Sequence, residues 1–124
     1  MEILDIKATN DTPRVVFDPD SEIFEISGRS LPEDVVTFYQ PVIDWLDEYK
    51  MMPNEKTELV FKYIYFNTAT SKLVQDILLR LEYIHENGGK VNVIWYYELD
   101  DEDMQDLGEE FKEYVEIPFE LVPY

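Results

Sequence analysis

The spacing of apolar residues changes abruptly at Asn67, which places a strand directly before a helix. Upstream, Leu59 to Phe66 is dense in β-branched and aromatic residues, as a buried strand would be. Downstream, Leu73, Ile77, Leu81 and Ile84 recur at helical spacing. The junction reads Tyr65-Phe66-Asn67-Thr68-Ala69-Thr70-Ser71-Lys72 and carries aliphatic hydroxyls on Thr68, Thr70 and Ser71. A helix start leaves backbone N–H groups unpaired and presents the positive end of the dipole. A phosphate on one of these hydroxyls would meet a ready anion site. Thr and Ser are also preferred helix caps for reasons unrelated to signalling. The local residues therefore leave two readings open, a phosphorylation switch and a plain cap.

The same alternation of periods runs along the rest of the chain. Ile3 to Ala8, Arg14 to Phe17 and Ile23 to Ser27 read as strands, the latter two joined by the turn cluster Asp18-Pro19-Asp20-Ser21. Ser30-Leu31-Pro32-Glu33 has capping-box spacing and predicts a helix start. Val35, Phe38, Val42, Trp45, Leu46 and Tyr49 then mark an apolar face, with Pro41 expected to kink or break it. A helix from about Thr70 to Glu86 ends at Asn87-Gly88-Gly89. Val91 to Tyr97 is a further strand, Asp100 to Asp103 opens a last helix, and Ile117 to Val122 closes the order. The expected fold is α/β, a mixed β-sheet covered by helices in the order β-β-β-α-β-α-β-α-β, with right-handed crossovers between parallel strands.

A length of 124 residues suits one domain spanning 1–124. The net charge of -18 repels nucleic-acid backbones and anionic membrane surfaces, so a basic protein partner, or simple solubility, is the better reading of it. No apolar run is long enough for membrane insertion. The absence of cysteine removes thiol chemistry and fits a reducing cytoplasm. No signal peptide is read at the N-terminus.

Catalysis has few candidate groups. His85, the sole histidine, falls in the last turn of a helix, where a cation is favourable. The acids from Glu98 to Asp103, continued by Asp106, Glu109 and Glu110, lack the spacing of a calcium loop and suit a solvated helix start. No metal, cofactor or enzymatic activity is expected. Arg29, beside Gly28, is a candidate anion contact, and Tyr39 and Tyr97 are aromatics that could anchor a partner or fill the core.

The chain resembles the SiaC family of bacterial regulatory phosphoproteins, which are linked to biofilm control and similar in fold to the STAS domains of anti-anti-sigma factors. The resemblance rests on Thr12 to Asp18, Ile26 to Glu33, Phe38-Tyr39-Gln40-Pro41, Tyr65 to Lys72, Trp95 to Glu98 and Asp100 to Met104. It implies a partner switch. A Ser/Thr kinase phosphorylates one threonine, a PP2C-type phosphatase reverses this, and the unphosphorylated form binds and activates a diguanylate cyclase, raising cyclic di-GMP. The acceptor follows the junction asparagine in the family, which here is Thr68. Asn67, Thr70, Ser71, Lys72, Arg29, Tyr39 and Tyr97 are the further candidates for partner contact. The alternative is a constitutive interaction domain in which Thr68 only caps.

Overall fold

A computed structural model describes all 124 residues. The elements are β1 (Leu4–Ile6), β2 (Arg14–Asp18), β3 (Ile23–Ser30), α1 (Val35–Tyr49), β4 (Lys56–Phe66), α2 (Thr68–Glu86), β5 (Lys90–Tyr97), α3 (Glu102–Tyr114) and β6 (Phe119–Pro123). This is the expected order. The six strands lie side by side in chain order. β1, β2 and β3 pair antiparallel, and β3 to β6 pair parallel.

Sequential parallel strands that all advance in one direction, joined by right-handed crossovers, put every connecting helix on one face of the sheet. The registers agree with this. Val15, Ile26, Phe61 and Trp95 are neighbours across four strands, and all four are buried against the helices. The offset row Val16, Glu25, Val60, Ile94 and Glu120 points the other way and stays at least partly accessible. Alternation of side chains along a strand makes these two rows unavoidable. One contiguous core results, and Trp95 sits at its centre among Phe61, Tyr63, Phe66, Phe111 and Phe119. Its indole N–H donates to the Met104 carbonyl at 3.0 Å, so the buried donor is satisfied.

Two sequence expectations change. Ser30 does not cap α1. A register shift between Gly28 and Arg29, with Gly28 at φ +101°, carries β3 on to Ser30 and turns that side chain inward. Asp34 is the cap instead, its carboxylate accepting from the Thr37 amide at 3.1 Å and the Thr37 hydroxyl at 2.8 Å. Those bonds hold the Asp34 carboxyl below its usual range. Pro41 does not break α1, which continues through it to Tyr49. Pro41 and Thr37 both lie on the solvent side, so water can reach the carbonyl that loses its helical partner. Tyr39, Val42, Ile43, Trp45, Leu46 and Tyr49 meanwhile secure the other face.

Candidate functional site

The strand–helix junction stands at the C-terminal edge of the parallel strands, where α/β sheets commonly place their binding sites. β4 ends at Phe66, and α2 begins at Thr68 with Asn67 as its cap. Asn67 is extended, at φ -81° and ψ 166°, and its side-chain oxygen accepts the Thr70 amide at 3.1 Å. Its own amide donates to the Ser30 carbonyl at 3.1 Å, which ties the junction to the end of β3. Thr68 is therefore the first helical residue and not the cap. It is exposed, and its hydroxyl has no partner in the chain. The capping role that competes with a phosphoacceptor role has passed to Asn67.

The three junction hydroxyls do different jobs. Thr70 is fully buried. Its hydroxyl donates to Asn67 Oδ1 at 2.7 Å and lies 3.0 Å from Ser30 Oγ. Ser30 Oγ is 2.7 Å from the Tyr39 hydroxyl, which is 3.0 Å from that of Tyr63. Burial pushes the Tyr39 phenol up, and it pushes that of Tyr63 up further with the help of neighbouring Tyr39. Both phenols therefore stay protonated through neutral pH and can donate. Ser71 is half-buried, whereas Lys72 is exposed one helical turn beyond Thr68.

The other candidates divide by burial. Tyr39 and Tyr97 are buried core residues and do not present their rings at the surface. Tyr39 lies on the buried face of α1 in the hydroxyl chain, and alternation along β5 turns Tyr97 inward with Trp95. Thr70 is likewise closed off. Arg29 is exposed and pairs in register with Tyr65, two residues before Asn67, because of the shift after Gly28. Ile64, Tyr65 and Leu99 are exposed near the same strand ends, and of these only Tyr65 belongs to the stretch that the sequence pattern marked. Ser30 and Tyr63 were also missed, since their polar contacts bridge residues 9 to 40 positions apart.

Asp101 caps α3 by accepting the Met104 amide at 3.0 Å, and Glu102 and Asp103 occupy the first turn. The acids thus serve the helix start, and no group of three or more converges as metal ligands would. His85 lies exposed in the last turn of α2. No helix is long and apolar enough to cross a membrane.

Comparison with known proteins identifies the family. Residues 6–124 match the SiaC family of regulatory phosphoproteins. The chain belongs to that family. An uncharacterised protein of Pseudomonas aeruginosa strain UCBPP-PA14 is 32% identical over 121 residues, which is 98% of this chain and 96% of that one. Apo-SiaC of Pseudomonas aeruginosa superposes with a TM-score of 0.88 at 32% identity, covering 98% of both chains. The SiaC chain in a crystal structure of the diguanylate cyclase SiaD with its activator SiaC, from the same organism, superposes with a TM-score of 0.91 at 31% identity. That match covers 98% of this chain and 99% of the other.

Proposed function

We propose that this chain is the switchable activator of a diguanylate cyclase, controlled by phosphorylation of Thr68. Unmodified, it binds and activates the cyclase. A Ser/Thr kinase phosphorylates Thr68 and releases the cyclase, and a PP2C-type phosphatase restores binding. The chain itself performs no catalysis and works in the cytoplasm. Membership of the SiaC family and the activator role of the Pseudomonas aeruginosa relative support the reading. The observation that carries it is the Thr68 hydroxyl, which is exposed at a helix start and used by no interaction of the fold.

Phosphorylation there adds about 1.5 to 2 negative charges at pH 7. The start of α2 accommodates that charge, because its amides and dipole favour anions. A partner surface matched to a neutral hydroxyl does not. Loss of a central contact of about 2 kcal/mol corresponds to roughly thirtyfold in affinity. The switch then works through surface chemistry and requires no refolding.

The test compares enzymatically phosphorylated and unmodified wild-type chain for binding to the diguanylate cyclase, with thermal melts of both forms. The expected result is two folded forms, of which the phosphorylated one binds about thirtyfold more weakly. Equal affinity would favour a constitutive interaction domain.

A further inference from the structure

The buried hydroxyls beneath Thr68 form a chain whose direction the chemistry dictates. Asn67 Oδ1 can only accept, and so can the Ser30 carbonyl. The Thr70 hydroxyl lies 2.7 Å from the first and 3.3 Å from the second. Its one proton is therefore committed to an acceptor that cannot donate back. Ser30 must then donate to Thr70, Tyr39 to Ser30, and Tyr63 to Tyr39, across 3.0, 2.7 and 3.0 Å. Each hydroxyl has one proton to give, so no other arrangement satisfies every pair. The relay crosses four elements, β4, α1, β3 and α2, and ends on the side chain next to Thr68.

That ending fixes the Asn67 carboxamide. The Thr70 hydroxyl and the Thr70 amide, which also donates to the Asn67 carbonyl at 3.0 Å, both face Oδ1, an arrangement that suits the oxygen rather than the nitrogen on this side. Asn67 Nδ2 has no partner in the chain, yet no side-chain nitrogen or oxygen is both buried and unpaired. Nδ2 is thus not fully buried, and it lies beside Thr68 with both protons unclaimed by the chain. A cap alone needs no such amide, because Asp or Ser caps as well as Asn.

We propose that Asn67 is a specificity-determining contact, its Nδ2 donating to an acceptor oxygen of the docked protein partner, and that Tyr63, Tyr39 and Ser30 are positioning residues that hold this amide in one orientation. The proposal deepens the functional reading above and rests on it. Buried polar chains are sensitive to a single missing member, because each neighbour loses a partner it cannot replace with water. A change at Ser30, fully buried and far in sequence, therefore reaches the surface at Asn67.

The experiment has two arms. In the first, 15N-edited spectra of the full chain follow the Asn67 side-chain amide in wild type and in Ser30→Ala. Wild type is expected to give one sharp pair of Nδ2 protons, and Ser30→Ala a broadened or averaged pair in a chain that remains folded. An unchanged pair in Ser30→Ala would overturn the positioning role. Tyr63→Phe removes only the terminal donor and provides the second variant should Ser30→Ala not fold.

In the second arm, binding to the diguanylate cyclase is measured for unphosphorylated wild type, Asn67→Asp and Asn67→Ser. Both variants keep a capping oxygen and are expected to melt near wild type while binding about tenfold more weakly, the loss of one good hydrogen bond. Weak binding by Asn67→Asp with full binding by Asn67→Ser would indict the added charge and overturn the donor role. Failure of wild type to bind any cyclase would sink the functional reading and the contact role together. Equal affinity of the phosphorylated and unmodified forms would sink only the switch and leave Asn67 to be judged by its own variants.

Discussion

At the scale of single residues, Thr68 and Thr70 have the same side chain two positions apart, and the fold treats them as opposites. Thr68 presents its hydroxyl to water, whereas Thr70 buries its own among Asn67 and Ser30. Chemical denaturation should separate them. Thr68→Ala is expected to change stability by less than about 0.5 kcal/mol, as surface substitutions do. Thr70→Val is expected to cost about 1 to 3 kcal/mol, because Ser30 loses its acceptor in a dry site and Asn67 loses a donor. Comparable losses in the two variants would mean that Thr68 carries a structural role after all. The junction was visible in the sequence as a cluster of hydroxyls. Which one was free could not be read there, because burial of Thr70 depends on Ser30, forty residues upstream.

At the scale of elements, α3 illustrates how packing overrides propensity. Gly108 lies in the middle of this helix, where replacement by Ala ordinarily gains about 1 kcal/mol. Here a Cβ at position 108 would stand 2.5 Å from Trp95 Cδ1 and 2.7 Å from Trp95 Nε1. The indole cannot retreat easily, since it donates to the Met104 carbonyl and is ringed by aromatic neighbours. Gly108→Ala is therefore expected to lower stability by about 1 to 3 kcal/mol in a denaturant titration, the usual effect of overpacking. A rise in stability would show that α3 can slide away from the sheet. The apolar periods of α1, α2 and α3 were legible because each faces one side of one sheet. The start of α1 was not, since Ser30 and Asp34 are both good caps by residue type. Only the β3–β4 register, shifted after Gly28, decided between them.

At the scale of the whole molecule, 28 acidic residues face 10 basic ones, and the structure contains three ion pairs, two of which share Asp47. Asp47 joins α1 to α2 through Arg80 at 3.0 Å, and the guanidinium bond holds its carboxyl below the usual range. Most acids are left unpaired, and their mutual repulsion opposes the compact state. The melting temperature is expected to rise as sodium chloride increases from about 10 to about 300 mM, as screening shortens the reach of that repulsion. A melting temperature that falls with salt would mean that the few ion pairs outweigh the repulsion.

The elements, their order and the position of the junction were legible from residue types and spacing alone. Those features depend on residue type and on periods of two or 3.6, which are local properties of the chain. The resemblance to the SiaC family drew attention to the junction. Tertiary structure alone decided the rest. Right-handed crossovers between sequential strands placed all three helices on one face and left the other face open. Packing of α1 and β5 buried Tyr39 and Tyr97, and the β3–β4 register left Arg29 outward and set Ser30 against Thr70 across forty residues. A side chain's surroundings come from neighbours distant in sequence, and only the folded sheet brings those neighbours together.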